Sequence, residues 1–277
     1  MEDFFVEVDS KKFNKNMYIR NATVWHKLQR IGREYDKGLL AKARQEMYID
    51  PRGSENMSRM PIFLFSGPPG TGKTSAIQAI AAESELSAWE LKGLQKIMQQ
   101  HPSRMLAVFE AVLKHIEGLW KAIVFIDEAE TLFPSRQRLA DYNSVEVRSH
   151  KAMLNSFLQW SQGLRTKAYP GDAQPPILCL GTNLRDRLDD AVLDRIKLDI
   201  SFPLPDGRQY SGWWRLYAAQ LSDLEIIALG CLCSFFMFSF RDLEKIRDEL
   251  VWLRTERSSP CSFLHYVPHV WERVRMK

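Results

Sequence analysis

Several features that would mark other classes of protein are missing from this chain. No apolar run is long enough to cross a membrane, because residues 226–240 are interrupted by Gly230 and two serines. The 38 Lys and Arg nearly balance the 34 Asp and Glu, and no long basic run occurs, so a nucleic-acid substrate is not expected. The four cysteines lack the paired spacing of a zinc site, and we expect them to be reduced, which favours an intracellular, reducing compartment. The first five residues resemble neither a secretory signal nor an arginine-rich transit peptide, either of which a processed chain would have lost.

The strongest pattern that is present lies between residues 61 and 83. An apolar run leads into a match to the P-loop pattern GxxxxGK[ST], and an alanine-rich helical stretch follows it. The matching residues are Gly67, Pro68, Pro69, Gly70, Thr71, Gly72, Lys73 and Thr74. Glycines let backbone N–H groups turn towards phosphate oxygens, and the helix adds the positive end of its dipole. Lys73 can reach the β- and γ-phosphates and the Thr74 hydroxyl can bind Mg²⁺, so the pattern predicts binding of a nucleoside triphosphate.

A pair of acids supplies the second half of the expected site. Asp127 and Glu128 directly follow the apolar run of residues 122–126, which reads as a buried strand. Such a strand would deliver Asp127 to the Mg²⁺ shell, usually through water. Glu128 could take a proton from the attacking water as general base. The alternative is a solvated turn that happens to carry two acids.

The order of elements predicts an α/β fold. Apolar strands alternate with amphipathic helices as far as residue 205, which is typical of a P-loop NTPase parallel sheet with helices on both faces. Only helical patterns follow, as expected for a small C-terminal helical lid. We therefore predict an N-terminal arm with linker helices over residues 1–60, an α/β nucleotide-binding core over 61–205 and the lid over 206–277. Residues 1–22 read as an irregular arm, with helices expected over 24–31 and 36–47.

Three stretches in this order resemble the AAA+ ATPases. They are the P-loop, the run Phe125-Ile126-Asp127-Glu128-Ala129-Glu130 and the triplet Gly181-Thr182-Asn183. The resemblance covers roughly residues 61–253, and residues 188–196 resemble the family's second region of homology. It implies an ATP hydrolase that uses ATP and Mg²⁺, with Thr74 and Asp127 on the metal.

The resemblance also implies roles for three further residues. Asn183 matches sensor 1, which orients the attacking water, although a strand-end asparagine can also be part of an ordinary turn. Arg195 resembles the arginine finger that reaches the γ-phosphate of a neighbouring subunit, although Leu193 and Asp194 stand where many members carry arginine. A surface arginine is the alternative. Arg241 matches sensor 2, which touches the nucleotide in cis; the alternative is pairing with Asp242 or Glu244.

Two narrower comparisons concern subfamily and pore. Residues 148–158 and the Asp194-Arg195-Ile196 ending look like the mitochondrial AAA-domain-containing type 3 proteins, which is the only basis for a mitochondrial location. Members that thread polypeptide carry an aromatic residue and a glycine in a pore loop. The matching place, Lys96-Ile97-Met98, has neither, so threading is not the favoured expectation.

The leading hypothesis is therefore an AAA+ ATPase that self-associates into a ring, of hexameric type, and remodels a protein substrate or assembly. A second hypothesis is an ATP-binding structural or assembly-factor subunit, docked in a larger complex, with little or no turnover. It draws on the missing aromatic pore loop and on the shortness of the segment before residue 61. A nucleic-acid motor related to clamp loaders is disfavoured by the small net charge.

Overall fold

The structure is a computed structural model that describes residues 4–8, 22–33, 61–94, 104–136, 145–163, 176–218, 220–257 and 263–276. It divides into two compact units. The first comprises Met1–Phe13, His26–Ser66 and Thr74–Ser201, and the second comprises Asn14–Trp25, Gly67–Lys73 and Phe202–Lys277. The predicted helix over residues 36–47 and the predicted pore loop at Lys96-Ile97-Met98 lie outside the described residues. No described helix has both the length and the hydropathy that a membrane span requires.

A six-stranded sheet forms the first unit, with the strand order β1-β3-β4-β5-β2-β6. Its strands are β1 (Phe5–Glu7), β2 (Ile62–Ser66), β3 (Ser87–Leu91), β4 (Ala122–Ile126), β5 (Ile177–Thr182) and β6 (Leu198–Ser201). Every residue of β2, β4 and β5 is buried. Continuous apolar runs are expected of central parallel strands covered on both faces, and the predicted α/β sheet is confirmed.

The strand order brings together segments that are far apart in sequence. The strand β5 pairs in parallel with β4 on one side and with β2 on the other, with Ile126 opposite Leu180 and Ser66 opposite Thr182. The carboxyl ends of these three strands therefore share one edge of the sheet. In open α/β sheets this edge is where ligands bind, because the loops that follow the strands converge there.

The N-terminal arm differs from the prediction, which was wrong in treating all of residues 1–22 as irregular. Phe5–Glu7 forms the edge strand β1, antiparallel to β3, with Val6 opposite Glu90. A three-residue strand is too short to show a period of two, so the sequence pattern could not reveal it. The sheet is consequently mostly, not wholly, parallel.

Helices flank the sheet of the first unit. Helix α1 (Ala22–Gly32) has residues 26–32 in this unit and residues 22–25 in the second. The others are α2 (Lys73–Ser84), α3 (Met105–Glu117), α4 (Ala129–Leu132), α5 (Val145–Gly163) and α6 (Asp190–Leu193). Phe133 lies at the centre of an aromatic cluster, with ring centroids 6.0 Å from Phe109 and 4.4 Å from Phe157. This cluster joins α3, α5 and the residue that follows α4 in one core.

The helices of the second unit are α7 (Gly207–Tyr217), α8 (Asp223–Phe235), α9 (Phe240–Arg257) and α10 (Phe263–Arg275). Capping boxes begin two of them, Asp206 with Gln209 at α7 and Ser222 with Glu225 at α8. Each box satisfies backbone N–H groups that a helix start leaves unbonded. The core is aromatic and includes Trp214, which is fully buried. The predicted C-terminal helical region is confirmed.

Candidate functional site

The P-loop connects the end of β2 to the start of α2. Its three glycines have positive φ angles, +149° at Gly67, +75° at Gly70 and +92° at Gly72. Residues with a Cβ rarely adopt such angles, so glycine at these positions follows from the path of the chain. A Cβ built at Gly72 meets no atom within 4 Å, which leaves open space beside the loop. A loop of this kind suits the cradle of backbone N–H groups that phosphate requires.

Lys73 lies inside this loop. The residue is 6% exposed, and its Nζ donates hydrogen bonds to the carbonyl oxygens of Gly67 at 2.8 Å and Pro68 at 3.1 Å. Thr71 supports the same turn, because its hydroxyl donates to the Pro68 carbonyl at 2.8 Å. The ammonium group is thus placed within the concave loop, where a phosphate oxygen would meet it. The chemistry of this loop fits the triphosphate of ATP.

Arg241 lies next to the P-loop, at the start of α9. The Phe240 N–H donates to the Gly70 carbonyl at 3.0 Å, and a Cβ built at Gly70 would lie 2.7 Å from Arg241 Cβ. Pairing with Asp242 or Glu244 is the sequence-based alternative to a nucleotide contact for Arg241. Among the described residues, Asp242 is not paired with Arg241. The Asp242 carboxylate instead accepts a hydrogen bond from Ser239 and two from Arg273 of α10, from Nε at 2.9 Å and Nη2 at 2.7 Å.

In the first unit, Asp127 follows β4 at the shared sheet edge. Its Oδ1 accepts a hydrogen bond from the Glu128 N–H at 2.9 Å. The neighbouring strand approaches closely here, since a Cβ built at Gly181 would lie 2.6 Å from the same Oδ1. Any larger residue at position 181 would displace the carboxylate. Glycine before Thr182 and Asn183 therefore makes room for Asp127, and an oxygen ligand at this place fits Mg²⁺.

Glu128 has an unusual backbone. Its φ and ψ are 52° and 44°, in the left-handed region, and it occupies the N-cap position of α4, where its side chain makes no capping hydrogen bond. Such a conformation costs a non-glycine residue roughly 1–2 kcal/mol. The Glu128 carbonyl accepts two hydrogen bonds from Thr131, from its N–H at 2.9 Å and its hydroxyl at 2.8 Å, which hold this conformation. The residue is exposed, so its carboxylate can reach water. Strain of this kind is common at functional sites.

Asn183 follows β5 at the same edge and is half-buried. Its backbone N–H donates to Glu130 Oε1 at 3.3 Å, and the next turn is closed by the Leu184 N–H, which donates to Thr182 Oγ1 at 3.0 Å. Glu130 stands in the motif from which the family resemblance was drawn, yet no role was predicted for it. The only sign of a role for Glu130 in the sequence was its place two residues after Glu128. The structure shows that its partner is Asn183.

Arg195 and Thr74 complete the predicted set in the first unit. Arg195 Nε donates to Ser161 Oγ at 2.9 Å and Nη1 donates to the Ala191 carbonyl at 2.7 Å, so its guanidinium is bonded within its own chain. Thr74 is half-buried in the first turn of α2. The structure therefore groups Gly67–Lys73 with Arg241 in one unit, and Asp127, Glu128 and Asn183 at adjacent strand ends in the other.

Comparison with protein families agrees with this geometry. Residues 63–204, slightly more than half of the 277-residue chain, match the family described as "ATPase family associated with various cellular activities (AAA)". The chain belongs to the AAA family. The matched segment of this AAA protein contains the P-loop, both acids, Asn183 and Arg195, and it ends before Arg241.

Three relatives of this AAA protein illustrate the similarity. It is 26% identical over 189 residues to the peroxisomal ATPase PEX6 of Saccharomyces cerevisiae, covering 66% of this chain and 17% of the relative. It is 30% identical over 176 residues to the 26S proteasome regulatory subunit 6B homolog of Encephalitozoon cuniculi, covering 61% and 42%. It is 31% identical over 196 residues to the ATP-dependent zinc metalloprotease FtsH of Opitutus terrae, covering 66% and 30%. The chain thus spans less than half the length of each.

A solved structure resembles the AAA protein over nearly its whole length. It is a chain in the structure of the HORMA:CdnC:Trip13 complex of E. coli MS115-1, with a TM-score of 0.73 and 16% identity. The alignment covers 97% of this chain and 94% of that one. At this identity the likeness shows a common fold.

Proposed function

We propose that this AAA protein binds ATP with Mg²⁺ and hydrolyses the ATP at the interfaces of a ring-like oligomer, of hexameric type, in order to remodel a protein or protein assembly. The observation that carries the proposal is the pair of adjacent strand ends that hold Asp127, Glu128 and Asn183. Asp127 is fitted against Gly181, and Glu128 is held exposed in a strained conformation. A chain that only bound nucleotide would have little physical need for the second acid.

The residues of the site would divide the work in the following way. The P-loop and Lys73 would hold the phosphates, and the Thr74 hydroxyl and Asp127 carboxylate would hold Mg²⁺, which screens phosphate charge when bound. The Glu128 carboxylate would take the proton of the attacking water, and Asn183 would orient that water. Arg241, beside Gly70, would contact the nucleotide in cis.

The shared site depends on Arg195. As an arginine finger it would stabilise negative charge on the γ-phosphate held by the neighbouring copy. The Arg195 hydrogen bonds to Ser161 and Ala191 lie within one chain. The finger role would instead require the guanidinium to reach a second copy. The names of the relatives, a peroxisomal ATPase and a proteasome regulatory subunit among them, support action on protein partners, as does the multi-protein complex that contains the similar solved structure.

Steady-state ATP hydrolysis over a protein concentration series tests the proposal, with Glu128→Gln as the blank and Lys73→Ala as the variant that should lose binding. Activity per subunit should increase with concentration, because isolated subunits would lack the finger. Activity per subunit that stays constant on dilution through the dissociation range would contradict a shared site. Tight ATP binding with turnover no faster than the blank would favour the second candidate, a nucleotide-held structural or assembly-factor subunit.

Mixing two inactive variants tests the shared site directly. Arg195→Ala removes the finger, and Glu128→Gln removes the base, so each alone should be inactive. A mixed ring would contain interfaces with an intact base on one copy and an intact finger on the next, and activity should reappear on mixing. Mixtures that stay inactive while forming mixed oligomers would assign Arg195 to its own subunit.

The subfamily and compartment belong to the same proposal. The similarity of residues 148–158 to the mitochondrial type 3 proteins leads us to propose a mitochondrial, reducing location. Fractionation of cells that express the tagged chain, with and without protease treatment of intact organelles, would decide it. Recovery outside the mitochondrial fraction would contradict this placement without affecting the ATPase proposal.

A further inference from the structure

A third acid near the candidate base has no role in the function described so far. Glu130 lies in α4, two residues after Glu128, and is half-buried. Its Oε1 accepts a hydrogen bond from the Asn183 N–H at 3.3 Å. Its Oε2 is buried and has no hydrogen-bond partner among the residues that the structure describes. Glu130 therefore joins α4, whose N-cap residue is Glu128, to the strand end that carries Asn183.

The unpaired oxygen shows that a carboxylate is unfavourable here for folding alone. A buried polar atom without a partner destabilises the folded state, and a charged group does so more than a neutral one. A glutamine would offer the same acceptor to Asn183 without a buried charge. However, a charged acceptor makes a stronger hydrogen bond than an amide oxygen does. The charge of the Glu130 carboxylate thus strengthens its hydrogen bond with the Asn183 N–H.

We propose that Glu130 is a positioning residue for ATP hydrolysis, which fixes Asn183 relative to Glu128 through the bond from its Oε1 to the Asn183 N–H. The inference rests on the proposed function. Glu128 supplies the base and Asn183 orients the water, so the two must keep a constant separation. Since α4 has only four residues, a single contact at its second residue strongly restrains where the helix start lies.

Kinetics of two variants test this role. Glu130→Ala removes the acceptor and should lower kcat about tenfold or more, with the KM for ATP changed by less than about twofold, because the bond acts on the chemical step. Glu130→Gln keeps a neutral acceptor and should retain kcat within about threefold. In the background of Asn183→Ala, adding Glu130→Ala should cause no further loss, because the effect acts through that residue.

A matched control is available on α3. Glu110 is an exposed glutamate whose Oε1 accepts a hydrogen bond from Ser156 of α5 at 3.3 Å, so Glu110→Ala also removes a carboxylate contact between two elements. Its kcat should equal that of wild type. If Glu130→Ala does not fold, Glu130→Met keeps the volume without the acceptor and takes its place. A wild-type kcat in Glu130→Ala, or in Glu130→Met where that variant takes its place, would overturn the inference.

Hydrogen exchange at the Asn183 amide, measured by NMR, gives a readout independent of turnover. Exchange should be about tenfold faster in Glu130→Ala than in wild type, and protection should persist in Glu130→Gln. Unchanged protection in Glu130→Ala would overturn the contact. Wild-type turnover no faster than that of Glu128→Gln would instead overturn the proposed hydrolysis, and with it the role of Glu130. If the wild type turns over ATP and Glu130→Ala does so at the same rate, only the positioning role of Glu130 is overturned.

Discussion

Replacing Gly70 with alanine tests how closely the P-loop is packed against the start of α9. A Cβ at this position would lie 2.7 Å from Arg241 Cβ and 2.8 Å from Ser239 Oγ, and φ is +75°. Neither neighbour can move away easily. The Arg241 Cβ is fixed to the helix backbone, and the Ser239 hydroxyl is bonded to Asp242 at 2.8 Å. The new methyl group would therefore push the helix start away from the loop.

Gly72→Ala is the matched comparison from which the magnitude can be worked out. Its φ is +92°, but a Cβ there meets nothing within 4 Å. Both variants carry a backbone penalty of roughly 1–2 kcal/mol. Both also reduce the entropy of the unfolded chain, and this gain cancels in the comparison. Only Gly70→Ala adds overpacking, typically about 1–3 kcal/mol. We therefore expect Gly70→Ala to be less stable than Gly72→Ala by about 1–3 kcal/mol.

Urea unfolding followed by circular dichroism measures this difference in the free energy of unfolding. Titration with a fluorescent ATP analogue, performed at urea-free conditions, separates binding from stability. Gly72→Ala should bind the ATP analogue weakly, since its methyl group enters the space beside the loop. Its stability should be lowered only by the backbone penalty. Equal stability of the two variants would refute the reasoning, because it would mean that the loop and α9 are not in contact at Gly70.

Two further predictions concern buried groups. Arg273→Ala removes the two guanidinium bonds to Asp242, whose side chain is 9% exposed, and should lower the free energy of unfolding by about 2–3 kcal/mol. Arg215→Ala, which breaks an exposed ion pair, should cost about 1 kcal/mol or less, and equal losses in urea unfolding would contradict the difference. Burial raises the pKa of the Cys179 thiol, so less thiolate forms and alkylation at Cys179 should stay negligible in the native protein between about pH 7 and 9. Exposed Cys231 should be alkylated under the same conditions, and mass spectrometry that finds equal labelling would be inconsistent with the burial of Cys179.

Local patterns were enough to predict most elements of the fold. The strand β4 has the bounds that its apolar run indicated, and the region after residue 205 is helical, as its patterns predicted. The P-loop was predictable because its glycines, Lys73 and Thr74 all lie within eight consecutive residues. In each case the signal depends on neighbours in sequence, either on a hydrophobic period or on a cap.

Other features depended on contacts between distant segments. The edge strand β1 exists because β3 offers unpaired backbone groups, not because three residues show a pattern. The partner of Asp242 is Arg273, 31 residues away, although the sequence offered the adjacent Arg241. Neither the pairing of β1 with β3 nor that of Asp242 with Arg273 could be predicted from residue spacing. Packing in the tertiary structure decides which distant groups meet.

The sequence by itself determined which side chains this protein offers: a P-loop, two acids after a buried strand and a strand-end asparagine, each recognisable in a short local stretch. Only the tertiary structure decided which of these residues touch. It set Glu130 against Asn183, 53 positions away, and bonded Arg195 to Ser161, 34 positions away. The physical reason is that motif chemistry is written in adjacent side chains, whereas the order of strands in the sheet brings together residues that the chain keeps apart.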